Sequence, residues 1–118
     1  MRRGDVWWAD LPKPAGRRPV VLLSRNEAYH VRELVTIAPV SSRIRSIPTE
    51  VPLGPEDGLP KACVANLDTI TTIPKRVLSE RIVALSLPKR HAVDRALRFA
   101  LGLTGVAPEQ SLPVLRQP

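Results

Sequence analysis

The chain of 118 residues contains a single cysteine, Cys63, and only two histidines, His30 and His91. One cysteine excludes an intramolecular disulfide and any metal site built from several thiolates. Two imidazoles add little to such a site, so we expect neither a metal nor a cofactor. Cys63 lies between Ala62 and Val64, a setting that predicts a buried residue of the core.

Long apolar runs are also missing. No stretch of eighteen or more apolar residues occurs, and this excludes a helix that spans a membrane. The first residues, Met1 to Asp5, lead straight into a predicted strand without the apolar segment of a secretory signal. We therefore expect a cytoplasmic protein with no membrane contact.

Aromatic residues and acidic residues are both scarce. The aromatics are Trp7, Trp8, Tyr29 and Phe99, fewer than a platform for stacking single-stranded bases normally uses. Lysine and arginine number 18 against 11 acidic residues, which leaves a net charge of +7. This excess predicts an acidic partner, either a nucleic acid or an acidic protein, although an arginine-rich composition alone would also produce it. If RNA binds, contacts to its backbone should dominate.

Short apolar runs separated by proline and glycine predict a mainly β (α+β) fold. The expected strands cover residues 5–11, 19–23, 33–40, 49–53, 61–65 with a continuation over 69–73, and 81–85. A helical turn is expected within 26–32, and one helix should begin after Ser86 and end at Gly102. This pattern favours an SH3-like small barrel of antiparallel strands with a C-terminal helix. We expect one domain over residues 1–103 and a flexible tail over residues 104–118.

Two strand ends carry polar groups that should not be buried. Arg18 stands just before the apolar run 19–23, and Ser41 follows the run that ends at Val40. If these strands are antiparallel neighbours, both side chains lie at one edge of the sheet. A planar guanidinium beside a hydroxyl is a good receptor for a phosphodiester, so these two residues are candidates for binding one.

Further residues beside these strand ends, and in segments 48–49 and 66–69, are candidate RNA contacts. Arginines there would bind phosphates or form a solvated loop, and the polar group at 66–69 would read base edges or build a turn. The candidate RNA-binding residues are Arg17, Ser42, Arg43, Pro48, Thr49, Asn66, Asp68 and Thr69.

Several motifs, in this order along the chain, resemble the MazF/PemK (Kid) family of toxin–antitoxin ribonucleases. They are Arg3-Gly4-Asp5-Val6-Trp7, Arg18-Pro19-Val20-Val21, Ala38-Pro39-Val40-Ser41, Pro48-Thr49-Glu50-Val51, Leu67-Asp68-Thr69-Ile70-Thr71-Thr72-Ile73 and Leu101-Gly102-Leu103. The likeness runs from about residue 2 to residue 103. The loop between the first two strands is shorter than in many relatives.

The resemblance implies an SH3-like barrel that acts as a homodimer and cleaves single-stranded RNA without metal, leaving a cyclic phosphate and a free 5′-hydroxyl. It implies a MazE-like antitoxin whose acidic, flexible tail blocks the groove of the dimer. The family's catalytic arginine falls on Arg18. Its catalytic threonine falls on Ser41, a departure that keeps the hydroxyl.

The chemistry of the candidates leaves the general base open. Arg18 can hold the charge of a phosphorane, and Ser41 can donate to the same phosphate or orient the 2′-hydroxyl. No histidine is placed to accept the proton, and the pKa of an arginine is very high, so we expect a slow enzyme. Two alternatives are a toxin of the same fold that poisons a protein such as gyrase, and a non-catalytic RNA-binding module.

Overall fold

A computed structural model describes residues 1–103, which form seven strands and two helices. The strands are β1 (Asp5–Asp10), β2 (Arg17–Leu22), β3 (Leu34–Ser41), β4 (Glu50–Leu53), β5 (Cys63–Asn66), β6 (Thr71–Pro74) and β7 (Leu78–Ala84). The helices are α1 (Ala28–Val31) and α2 (Leu87–Leu101), and single 3₁₀ turns cover Pro55–Asp57, Leu67–Thr69 and Lys75–Val77. The predicted tail over residues 104–118 lies outside the described residues.

All strand pairs are antiparallel and follow the order β4-β5-β3-β2-β1-β7, with β6 also paired to β3. The sheet curls into a small barrel-like fold, as predicted, but within residues 1–103 its outer strands β4 and β7 do not pair and the barrel stays open. The apolar strand β2 lies between β1 and β3, in the interior of the sheet.

The prediction that residues 69–73 continue the strand 61–65 is wrong. A 3₁₀ turn at Leu67–Thr69 separates β5 from β6, and both strands pair with β3 at different points along it. β5 pairs with Val40 and Ser41, whereas β6 pairs with the first half of β3. The side chain of Asn66 accepts a hydrogen bond from the backbone amide of Asp68 at 2.9 Å and so starts this turn.

The helix α2 begins and ends as predicted. The Ser86 hydroxyl accepts a hydrogen bond from the Lys89 amide at 3.4 Å, and Gly102 ends the helix with a φ of +72° that favours glycine. Val93 and Ala96 are buried in the core against the sheet. Leu101, in the last turn, is 51% exposed. No helix within residues 1–103 has the length and apolar character needed to cross a membrane.

The adjacent tryptophans of β1 take different surroundings, as alternation along a strand requires. Trp7 packs at the margin of the core cluster that contains Val20, Leu22 and Ile37. Trp8 lies under Arg17, whose guanidinium carbon is 4.7 Å from the centroid of the Trp8 ring. Both residues lie at the end of the sheet where β2 begins.

Candidate active site

A cavity of about 310 Å³ opens where β2 begins and β3 ends. The register of these strands pairs Val20 with Pro39, and the same register extended to the strand ends sets Ser41 opposite Arg18. The two candidate catalytic residues therefore lie beside one shared cavity. It is lined by Trp8, Arg17, Arg18, Pro19, Val40, Ser41, Ser42, Leu59, Pro60, Lys61 and Cys63.

Arg18 is half-buried and is held by one contact. Its Nε donates a hydrogen bond to the carbonyl oxygen of Ala15 at 3.2 Å, in the loop between β1 and β2. Within residues 1–103 its two terminal nitrogens donate no hydrogen bond, and no carboxylate forms a salt bridge with it. The contact to Ala15 orients the guanidinium while its terminal donors stay available to an anion.

The neighbouring Arg17 is occupied by contacts within the protein. Its Nη1 donates to the Ser79 hydroxyl at 3.1 Å, and its guanidinium lies 3.5 Å from an oxygen of Asp10 and 3.4 Å from one of Glu80. The same group stacks over Trp8. Arg17 lines the cavity, but it would have to leave these partners to bind a phosphate fully.

Ser41 ends β3 and is half-buried. Its Oγ accepts a hydrogen bond from the backbone amide of Arg43 at 3.0 Å, the geometry of a local serine turn. Because this bond uses the oxygen only as an acceptor, the hydroxyl proton is still available to a ligand in the cavity. Ser42 also lines the cavity, whereas Arg43 is exposed outside it.

The segment that leads into β5 supplies cavity residues that sequence reasoning missed. β5 pairs Val64 with Ser41, so Lys61 and Cys63 are carried to the cavity wall. The only signal for Lys61 in the sequence was its positive charge at the start of a predicted strand. That charge can be assigned to the cavity only once β5 is known to pair with β3. Cys63 is 6% exposed, as predicted, and burial raises the pKa of its thiol, which favours the neutral form.

The charged residues that line the cavity are all basic. Of its lining residues, all in the described part of the chain, three carry positive charge and none is a carboxylate or a histidine. His30 and His91 lie in α1 and α2, exposed and away from the lining. Across residues 1–103 there is also no group of three or more His, Cys, Asp or Glu side chains placed to hold a metal ion. Such a cavity suits a polyanion.

The remaining predicted contacts lie outside the cavity. Pro48 lines a separate groove between β4 and α2, beside Phe99. Thr49 is buried and its hydroxyl donates to Asp68 Oδ2 at 2.6 Å, while Asn66 caps the turn that holds Asp68. Thr69 is exposed at the end of that turn.

Comparison with known proteins gives a consistent result. Residues 2–101 match the family described as PemK-like, MazF-like toxin of type II toxin–antitoxin system. The chain is 36% identical over 100 residues to the "Probable endoribonuclease MazF5" of Mycobacterium tuberculosis, covering 84% of this chain and 91% of the relative. It is likewise 36% identical over 104 residues to "Probable endoribonuclease MazF2" of that organism, covering 86% and 99%.

This chain belongs to the PemK/MazF toxin family. Solved structures agree. The Mycobacterium tuberculosis toxin MazF-mt6 superposes with a TM-score of 0.77 at 30% identity, over 84% of this chain and 97% of that one. An endoribonuclease in complex with its cognate antitoxin, from a mycobacterial species, superposes with a TM-score of 0.78 at 31% identity, over 87% and 96%. The predicted resemblance and the predicted fold class are therefore confirmed, and the cavity described above is that of a PemK/MazF toxin.

Proposed function

We propose that this PemK/MazF toxin is an endoribonuclease that cuts single-stranded RNA within a short sequence motif. One observation carries the proposal: one cavity with only basic charged lining residues is lined by Ser41 and by Arg18, whose terminal nitrogens donate no hydrogen bond within residues 1–103. A scissile phosphate in this cavity would contact both groups at once. The family membership and the names of the relatives support the same activity.

The reaction is attack of the 2′-hydroxyl on the adjacent phosphorus, which leaves a 2′,3′-cyclic phosphate and a free 5′-hydroxyl. Negative charge grows on the phosphoryl oxygens in the transition state, and a bidentate guanidinium stabilises it. Arg18 provides that grip, and Ser41 donates a hydrogen bond to a phosphoryl oxygen or orients the 2′-hydroxyl. The lining residues include no histidine or carboxylate to move protons, so the site works by charge and positioning, and turnover is slow.

The setting of this activity is a toxin–antitoxin pair in the cytoplasm. Cleavage of cellular RNA inhibits translation and growth, and a MazE-like antitoxin with an acidic, flexible tail neutralises the toxin by entering the basic cavity. The solved relatives include an endoribonuclease with its cognate antitoxin and MazE-MazF from Deinococcus radiodurans, the latter 26% identical with a TM-score of 0.73. We propose that this toxin, too, works as a homodimer with such an antitoxin.

The test is to incubate the purified chain with a long single-stranded RNA in the presence of a chelator and to sequence the new 5′-hydroxyl ends. Cuts at a recurring short motif, lost in the Arg18→Ala variant, support the proposal. Arg76→Ala serves as the control because Arg76 is an exposed arginine beside Glu33, at the opposite end of β3 from Ser41.

The same experiment separates the two alternatives. Salt-sensitive RNA binding without cuts identifies a non-catalytic binding module. The absence of both binding and cuts leaves a toxin directed at a protein such as gyrase.

A further inference from the structure

Glu50, the first residue of β4, carries a buried carboxylate whose side chain is 1% exposed. A buried carboxylate is costly unless its oxygens are fully hydrogen-bonded. The Glu50 oxygens accept three bonds, and all three come from two adjacent residues of one loop. This loop, residues 42–48, directly follows Ser41.

The three bonds fix both the backbone and a side chain of the loop. Oε1 accepts from the backbone amides of Arg45 at 2.8 Å and Ser46 at 3.1 Å. Oε2 accepts from Nε of Arg45 at 2.8 Å. Ser46 has a φ of +58°, a left-handed conformation that a serine rarely adopts without outside support. Glu50 supplies that support.

Glu50 is itself held in place. Its backbone amide donates to the carbonyl of Ile47 at 2.9 Å, and the β4–β5 register sets it opposite Asn66. At its other end the loop is tied to Ser41 by the bond from the Arg43 amide. The loop is thus fixed at two points, and the serine hydroxyl is fixed at one of them.

We propose that Glu50 is a positioning residue for the proposed RNA cleavage: it holds loop 42–48 so that Ser41 faces the cavity in the productive orientation. The proposal rests on the proposed function, because the orientation of Ser41 matters to rate only if Ser41 acts on RNA. Glu50 does not line the cavity, so it acts through the loop and not on substrate.

The test compares Glu50→Ala and Glu50→Gln with the wild-type chain and with Glu33→Gln, an exposed carboxylate just before β3. Three quantities are measured: kcat and KM on a single-stranded RNA, the initial rate of trypsin cleavage after Arg43 and Arg45, and the melting temperature. We expect kcat of Glu50→Ala to fall roughly tenfold to a hundredfold, the scale of a reactive group misplaced by about 1 Å, with a smaller change in KM. Trypsin should cut the loop faster in that variant.

For Glu50→Gln, both kcat and the rate of trypsin cleavage should lie between the values of the wild-type chain and of Glu50→Ala, because an amide oxygen can still accept from the Arg45 and Ser46 amides. Every variant is assayed well below its melting temperature. Under that condition, a role in global stability alone does not predict this order of kcat values among wild type, Glu50→Gln and Glu50→Ala. If Glu50→Ala does not fold, the comparison of Glu50→Gln with Glu33→Gln decides the question.

Wild-type kcat in a folded Glu50→Gln or Glu50→Ala variant overturns the proposal, as does an unchanged trypsin pattern. An inactive wild-type chain would instead contradict the proposed RNA cleavage. The trypsin pattern would still support or overturn the role of Glu50 in holding the loop.

Discussion

The hydroxyl of Thr49 donates to Asp68 Oδ2 across 2.6 Å and joins two segments that are 19 positions apart in the chain. A second bond, from the Leu67 amide to the Thr49 carbonyl at 2.8 Å, reinforces the connection. The sequence analysis proposed both Thr49 and Asp68 as RNA contacts. In the fold they satisfy each other, and Thr49 is buried.

Replacing Thr49 with valine should therefore weaken the fold. Valine keeps the shape but loses the donor to a carboxylate, and we expect the free energy of unfolding to fall by about 1–2 kcal/mol. Urea unfolding measures this loss. Thr49→Ser keeps the hydroxyl and should lose less, and Thr71→Val, at an exposed threonine of β6, serves as the control. A changed cleavage motif with unchanged stability would instead assign Thr49 to RNA contact.

Arg18→Ala should leave the fold intact and slow RNA cleavage by roughly a hundredfold or more, the scale expected for the loss of one transition-state donor. Its terminal nitrogens support no other group in residues 1–103, so the melting temperature should change little. Arg18→Lys should recover little of the rate, because a point charge lacks the bidentate geometry. Initial rates on a single RNA substrate decide the matter, and full activity in Arg18→Ala would remove this arginine from the mechanism.

Ser41 should tolerate exchange for another hydroxyl but not its removal. Ser41→Thr keeps both the donor and the acceptor that binds the Arg43 amide, so the variant should remain active. Ser41→Ala loses the donor to substrate and the local turn together, and its cleavage should be weak. A kinetic comparison at saturating RNA tests this pair, and equal rates for alanine and serine would show that the hydroxyl takes no part.

The sequence predicted the site best where strand periodicity was strong. The apolar runs before Ser41 and after Arg18 required two buried strands, and antiparallel pairing then brought the two side chains to one edge. Family motifs pointed to the same pair.

Contacts between distant segments were harder to predict. Lys61 was overlooked because only the pairing of β5 with β3 brings it to the cavity, and the bond from Thr49 to Asp68 joins residues 19 positions apart. Residue periodicity carries no record of such partners. The merging of β6 with β5 has a local cause: the Asn66 side chain accepts from the Asp68 amide two positions on, and the sequence analysis left a turn at 66–69 open without ending the strand there.

The pH dependence of stability should reveal the carboxylate of Glu50. Burial alone would raise its pKa, but hydrogen bonds from the Arg45 side chain and from the Arg45 and Ser46 amides outweigh burial and lower the pKa. The folded state thus favours the ionised form. Its stabilising contribution is complete above the pKa of an unfolded glutamate, about 4.3, and is lost as the pH falls through the lower folded value.

Melting temperatures of the wild-type chain and of Glu50→Gln, measured from pH 7 to pH 3, should therefore differ by a constant amount down to about pH 5, near the unfolded glutamate value. Below pH 4.3 or so the difference should shrink, because the unfolded wild-type chain then binds a proton at this residue, and at lower pH the folded chain does as well. Glu33→Gln, which removes an exposed carboxylate, is the matched control. A gap that persists unchanged to pH 3 would mean that the charge of Glu50 is not what holds the loop, and that the shape of the side chain alone supports Ser46 in its left-handed conformation.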